Sequence, residues 1–233
     1  MSKRKCSFSL IAFSLLCAAR IFAGDVASFV DLGFSEDGRI FMFAQYGVSE
    51  NTLKPWAEMS IVDVRSNDFA PDGRFNYTHN DRIAAGQDGS GALFRLISRN
   101  APTIERYAIP FLHQGIPLFI SLADGHAPDG DAINFRDFER ELTYSAKLVP
   151  YTEGYGATLR SSFYIQLSRT EKNGATKMFI VGTPDMKRNG IQSYSIKKAL
   201  TAQDRSSMIF IIEMRVQNGS GPHIRYMVEA IRF

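Results

Sequence analysis

Residues 162–182 read SFYIQLSRTEKNGATKMFIVG, and this stretch decides the fold class. In its first half Phe163, Ile165 and Leu167 alternate with polar neighbours, which is the two-residue period of a half-buried strand. Asn173-Gly174 then favours a tight turn, because both residues tolerate positive φ, and the segment returns as a second strand. The stretch therefore predicts an antiparallel hairpin in a β-rich protein.

The same type of turn recurs along the chain, which indicates a meander of short strands. Eight Asp-Gly or Asn-Gly pairs are present, at residues 37–38, 72–73, 88–89, 124–125, 129–130, 173–174, 189–190 and 218–219. Further strands are predicted over 40–46, 58–64, 208–212 and 224–233. Residues 208–212 are continuously apolar, which is typical of a central strand covered on both faces.

One region has a helical pattern instead. Apolar residues recur at helical spacing over 92–97, with Asp88 or Ser90 available as a cap. Pro102 is suited to open a second short helix that runs to Tyr107. The sequence thus predicts a small helical insert near residues 88–108.

The fold class that follows is mainly β: an antiparallel β-sandwich or compact blade-like sheets, as one domain over residues 24–233. Phe34 and Phe69 each begin a similar Asp-Gly turn, as in propeller blades, but the chain is too short for a whole propeller. A further short helix is a candidate over residues 195–202.

The first 23 residues have the three parts of an export signal. Lys3, Arg4 and Lys5 precede an apolar run of about 12 residues, and a small-residue site ends at Ala23. A membrane-spanning helix needs roughly 20 apolar residues, so we expect a cleaved signal and no stable membrane span afterwards. The expected location is periplasmic or extracellular.

Cleavage after Ala23 changes the composition of the chain. It leaves 23 basic and 24 acidic residues, so the charge that nucleic-acid binding requires is missing. It also removes Cys6 and Cys17, the only cysteines, which excludes disulfides and thiolate chemistry from the mature chain. We expect no nucleic-acid partner and no cofactor.

Two stretches of sequence resemble a known family. The residues from Asp25 through Phe34-Ser35-Glu36-Asp37-Gly38 to Gly47, and the closing segment 224–229, are similar to the bacterial family of predicted secreted proteins called domain of unknown function 2259. The resemblance implies export and supplies no activity or catalytic residues.

Two loops are candidate ligand sites. The loop Gly86–Gly91 runs into the predicted helix and could hold an anion on backbone N–H groups, but it lacks the Gly-Lys-Ser/Thr ending of a phosphate loop. The acidic turn 124–131 lacks the ligands of an EF-hand calcium loop at Ile133 and Arg140. The four histidines show no ligand spacing, so no metal is expected.

Two alternative functions rest on single patterns. Asp137, Glu139 and Glu141 would share one strand face if their segment were extended, which suggests an envelope hydrolase with paired carboxylates. The terminal Phe233 is typical of outer-membrane β-barrels, but Glu229 and Arg225 would then face lipid. No catalytic residue can be assigned.

The aromatic residues favour a third function. Trp56, Tyr151 and Tyr155 stand in predicted loops, where rigid aromatic side chains often form binding surfaces. The leading hypothesis is therefore a non-enzymatic binding or interaction module for an unknown protein or glycan partner in the envelope or outside the cell.

Overall fold

A computed structural model describes residues 25–84, 86–110, 112–122, 132–216 and 223–233. The export signal, the acidic turn 124–131 and the pair Asn218-Gly219 lie outside the described residues. Within those ranges thirteen strands form three antiparallel sheets, with two short helices and a 3₁₀ turn at Gly156–Thr158. The predicted mainly β class with a small helical insert is confirmed.

We call the three sheets the helix-covered, the central and the open-faced sheet. The helix-covered sheet has the order β1-β2-β3-β4 and consists of β1 Ser28–Phe34, β2 Ile40–Val48, β3 Pro55–Asp63 and β4 Asp68–Thr78. The central sheet has the order β13-β12-β11-β5 and consists of β5 Ile116–Ile120, β11 Ile191–Thr201, β12 Ser207–Val216 and β13 His223–Arg232. The open-faced sheet has the order β10-β8-β7-β6, with β9 also paired to β8, and consists of β6 Ile133–Asp137, β7 Leu142–Glu153, β8 Arg160–Thr170, β9 Thr176–Val181 and β10 Arg188–Asn189.

The central sheet lies between the other two, and β12 shows why. Phe210 and Ile212 join the hydrophobic core shared with the open-faced sheet, whereas Ile209 and Ile211 join the core shared with the helix-covered sheet. All four side chains are buried. The continuous apolar run of residues 208–212 therefore belongs to a strand covered on both faces, as predicted.

Helices α1 (Ser90–Arg99) and α2 (Ala101–Arg106) form a cover on the outer face of the helix-covered sheet. Ala92, Leu93 and Leu96 from α1 pack on Met59 and neighbouring strand residues. Helical spacing places these three apolar side chains on one side of α1, so the helix buries one stripe against the sheet.

A buried glutamate on the edge strand β13 contacts all three sheets. The Glu229 carboxylate accepts a hydrogen bond from the Asn67 side chain of the helix-covered sheet and lies 3.5 Å from the Arg188 guanidinium of the open-faced sheet. Asn67 also accepts the backbone N–H of Ala230 at 2.6 Å, which satisfies a donor on the outer edge of β13. These polar contacts connect the central sheet to both of its neighbours at β13.

Two local predictions are wrong. Residues 195–202 lie in and just after strand β11, because pairing with β12 on one side and β5 on the other outweighs the local helix propensity. The pair Asp72-Gly73 lies inside β4, where the register shifts against β3, and so marks an irregularity within a strand instead of a turn between strands.

The segment that carries the proposed hydrolase carboxylates is also not extended. Strand β6 ends at Asp137, whose carboxylate accepts the backbone N–H groups of Glu139 and Arg140 and so closes a turn. Glu141, at the end of that turn, has a φ of 54°. The three carboxylates therefore do not alternate along one strand face, and this prediction is corrected.

Candidate ligand-binding site

The outer face of the open-faced sheet is exposed. Neither a helix nor a strand among the described residues packs on it, and large side chains there remain in contact with solvent: Tyr151 is 53% exposed, Met178 68% and Ile180 62%. Strand pairing places them on the same face at different points along β8, since Tyr151 stands opposite Ser162 and Ile180 stands opposite Gln166. This surface, called the open face below, presents apolar and aromatic groups between polar ones.

Two tyrosines on the open face form a pair. The rings of Tyr151 and Tyr164 lie with their centroids 6.0 Å apart and their planes at 26°. A hydrogen bond between their hydroxyl groups raises the pKa of Tyr151. Tyr164 also accepts a hydrogen bond from the Gln166 amide at 3.4 Å. Tyr151 is thus exposed to solvent but held in position by its neighbour.

A cleft of about 430 Å³ opens beside Tyr151, at the end of the β7–β8 pair. The loop that leads from β9 to β10 forms its second wall. The lining residues are Tyr151, Thr152, Glu153, Arg160, Ser161, Ser162, Pro184, Asp185 and Lys187. The volume lies within the range of small-molecule sites.

The charged groups of the cleft balance one another. Lys187 donates a hydrogen bond of 2.8 Å to the Glu153 carboxylate, and this contact lowers the pKa of Glu153. Arg160 adds a favourable charge near the same carboxylate. With Asp185, the lining contains two acidic and two basic side chains. Any anion or cation that enters the cleft therefore meets side chains of both charges.

The floor of the cleft is tied into the core. The buried Ser161 hydroxyl donates to the Ile191 carbonyl at 2.8 Å and lies 2.9 Å from the Tyr194 hydroxyl. The Tyr194 ring in turn packs on Phe163, with centroids 4.5 Å apart. These contacts hold the end of β8 on the central sheet, so the cleft stands on a rigid base.

The structure separates the three aromatic residues singled out in the sequence. Tyr151 lies in strand β7 instead of the predicted loop, and it alone of the three lines the cleft. Tyr155 is 86% exposed in the loop after β7, where its carbonyl accepts the Thr158 hydroxyl at 2.9 Å. It lies close in sequence to the cleft but is not one of its lining residues.

Trp56 occupies a different environment. It lies in β3 instead of a loop and is only 9% exposed. Its indole N–H donates to Asp25 at 3.3 Å, and the Arg225 guanidinium lies 4.2 Å from the ring centroid. Arg225 also donates to the Asp25 carboxylate at 2.8 Å. The arrangement ties the start of the described chain to β13, next to the parallel bridge Val26–Ile224.

The carboxylates considered for hydrolysis are held in ion pairs. Arg205 contacts Asp137 at 3.5 Å and also donates to Glu139, and Lys172 donates to Glu141 at 2.7 Å. The three groups belong to a strand end and the turn that follows it. This arrangement gives no support to paired carboxylates across a cleft.

The glycine loop before α1 borders a second cleft, of about 690 Å³. Here the Asp88 carboxylate accepts both the N–H and the hydroxyl of Ser90, at 3.1 and 2.7 Å. The protein's own carboxylate thus stands at the helix start, where the sequence suggested an anion. Across the described ranges no three His, Cys, Asp or Glu side chains are grouped as metal ligands, and the turn 124–131 lies outside those ranges.

Sequence reasoning missed most of the cleft. The alternation of β8 predicts that Tyr164 lies on its polar face. The register between β7 and β8 then places Tyr164 beside Tyr151. Glu153 and Lys187, by contrast, are 34 residues apart and meet only because the β9–β10 loop folds back. No local pattern predicts that contact.

The fold and the site define a β-rich protein of stacked antiparallel sheets with a cleft at the end of an exposed sheet face. Residues 42–232 match the family described as "Predicted secreted protein (DUF2259)", and the chain belongs to this family, as the resemblance implied. The family description supports export. No curated protein matches the chain. No helix in the described part of the chain is long and apolar enough to cross a membrane.

Proposed function

We propose that this protein is a non-enzymatic binding module that works in the cell envelope or outside the cell, and that its ligand occupies the cleft and the adjoining open face. The observation that carries the proposal is the exposure of Tyr151, Met178 and Ile180 along a sheet face that no described element covers. Large exposed apolar patches are typical of interaction sites.

The arrangement of the side chains in the cleft favours binding over catalysis. The Tyr151 ring is fixed by its contact with Tyr164, and the Ser161 hydroxyl is engaged with the core. The carboxylates first considered for hydrolysis are paired with Arg205 and Lys172 at another place on the sheet. Trp56 is not part of the proposed surface, because its ring is buried against Arg225.

Hydroxyl-radical footprinting tests the surface even while the ligand is unidentified. The purified protein is labelled in buffer and in a soluble extract of envelope and culture medium. We expect reduced labelling of Tyr151 and Met178 in the extract, because a bound ligand would cover them. Phe94 on α1 and Phe138 in the β6–β7 turn are exposed controls that should not change. Equal labelling of all four residues in both samples would contradict the proposal.

Tyr155 is tested separately, since it stands beside the cleft without lining it. Tyr155→Ala should leave the protection of Tyr151 intact if the ligand is confined to the cleft, and should reduce it if the loop also contacts the ligand. Protease treatment of intact, osmotically shocked and lysed cells tests the location. Degradation in intact cells or after shock fits export, whereas protection until full lysis would contradict it.

A further inference from the structure

We propose that the cleft beside Tyr151 binds a neutral oligosaccharide, with one sugar ring stacked on the tyrosine. This inference rests on the proposed function and adds the ligand class. Three features of the cleft carry it: a fixed aromatic wall, a mixed set of polar groups, and the balance of charge.

The aromatic wall has the character that a sugar ring requires. The face of a tyrosine ring is apolar and electron-rich, and it complements the apolar C–H face of a pyranose. Tyr151 is 53% exposed, so its ring is accessible to a ligand. The stacking contact with Tyr164 restricts the ring before binding, which lowers the entropy lost when a ligand is stacked on it.

The polar lining supplies both donors and acceptors. Arg160 and Lys187 donate hydrogen bonds, Glu153 and Asp185 accept them, and the Ser162 hydroxyl does either. Each sugar hydroxyl also donates and accepts, so a ligand with many hydroxyl groups can satisfy such a mixed lining. An apolar ligand would leave these groups unpaired, at a cost in free energy.

The balance of charge distinguishes a neutral ligand from an ionic one. The two acidic and two basic side chains offset each other, and the 2.8 Å contact between Lys187 and Glu153 already pairs one of each. Phosphates and polyanions are recognised by basic groups that no acid neutralises. A neutral ligand needs no rearrangement of these ion pairs.

The test is calorimetric titration with defined probes: the tetrasaccharides of glucose and of N-acetylglucosamine, and a tetramer of glucuronic acid as the charged comparison. We expect at least one neutral probe to bind, and to bind more tightly than the acidic one. Removal of the ring in Tyr151→Ala should weaken that binding about tenfold, as for a contact residue at a binding site. Tyr151→Phe keeps the aromatic face and should lose less.

Phe138→Ala is the matched control, because Phe138 is an exposed aromatic residue near the opposite end of β7. It should bind like the wild type, and all variants should keep the emission of the buried Trp56. Binding that survives Tyr151→Ala, or that favours the acidic probe, would overturn the inference. If no neutral probe binds while Tyr151 is still protected in the footprinting experiment, the ligand class is wrong and the proposed function stands.

Discussion

The helix-covered sheet and the open-faced sheet each pack one face on the central sheet, and they differ in what lies on the other face. On the helix-covered sheet, Met59 and Ile61 are buried under α1, while Val62 is buried toward the central sheet. On the open-faced sheet, Ile165 is fully buried toward the core but its neighbour Gln166 is exposed to solvent.

The face that points away from the central sheet therefore has a different role in each of these two sheets. Where the helices cover it, the face contributes to the hydrophobic core and so to stability. Where it is open, exposed apolar side chains contribute little to stability and remain available for contact with another molecule. Substitutions on the first face should therefore change folding, and substitutions on the second should change binding.

The largest expected effect comes from removing a side chain between α1 and its sheet. Leu96→Ala should lower the free energy of unfolding by about 2–5 kcal/mol, because it leaves a cavity in a packed core. Ile180→Ala, on the open face, should change it by less than about 0.5 kcal/mol. Urea unfolding followed by Trp56 fluorescence measures both. Similar losses in the two variants would mean that the open face is covered in solution.

The second prediction concerns two glycines at the start of α1. A Cβ on Gly89 would lie 2.3 Å from the Gly47 carbonyl oxygen, so Gly89→Ala should force α1 away from β2 and cost about 1–3 kcal/mol. A Cβ on Gly91 meets no atom within 4 Å, and Gly91 lies in the helix. Gly91→Ala should therefore stabilise the protein by about 0.4–1 kcal/mol.

Thermal unfolding of the two variants gives the sign of each effect. Opposite shifts of the midpoint are expected from two glycines that stand two residues apart. A destabilised Gly91→Ala variant would contradict the prediction, because Gly91 would then be needed at the start of α1 although its Cβ meets no neighbouring atom.

The third prediction uses Glu229, which contacts both the helix-covered and the open-faced sheet. Burial raises the pKa of Glu229, although the Asn67 hydrogen bond and the Arg188 charge act in the opposite direction. The native state therefore holds this proton more tightly than the unfolded chain does. The resulting stability is fully present below the ordinary pKa of a glutamate and is lost as the pH rises through the raised native value.

Glu229→Gln keeps an acceptor for Asn67 and has no proton to lose in this range. The difference in free energy of unfolding between variant and wild type should shift in favour of the variant as the pH rises from about 4 to about 8. Urea unfolding at several pH values measures this difference. A constant difference across the series would contradict the role assigned to burial.

The same contrast between the sheets explains what the sequence could predict. Strand β8 is covered on one face only, so its alternation is clear, and the hairpin 162–182 was predicted with its turn. The run 208–212 indicated a doubly covered strand, and the periodicity of residues 92–97 indicated a helix. Each of these patterns is local, because it reflects which side chains are buried within a few consecutive residues or helical turns.

Other elements depend on partners that are distant in sequence. Residues 195–202 have a composition that suits a helix, but β5 and β12 pair with them from both sides. The cleft is created by the register of the strands and by the path of the β9–β10 loop. The sequence therefore indicates Tyr151 but neither Glu153 nor Lys187. The sequence places Trp56 in a loop between the strands predicted over 40–46 and 58–64, whereas β3 begins at Pro55 and includes it.

The smallest expected effect lies in the tyrosine pair of the open face. The hydrogen bond to Tyr164 raises the pKa of Tyr151, so Tyr151 should ionise at higher pH than an unperturbed tyrosine. In Tyr164→Phe that bond is absent, and Tyr151 should ionise at lower pH than in the wild type, with little change in unfolding. NMR titration of protein labelled at the tyrosine ring carbons resolves individual residues.

Tyr144 provides an internal control in the same spectra. It lies on the opposite, core-facing side of β7, and its pKa is raised chiefly by burial, so the loss of the Tyr164 hydroxyl should leave its titration unchanged. A shift of Tyr151 alone would show that its ring is held by a contact on the open face. An unchanged Tyr151 would mean that the pair is not formed in solution, and the aromatic wall of the cleft would then lose its fixed position.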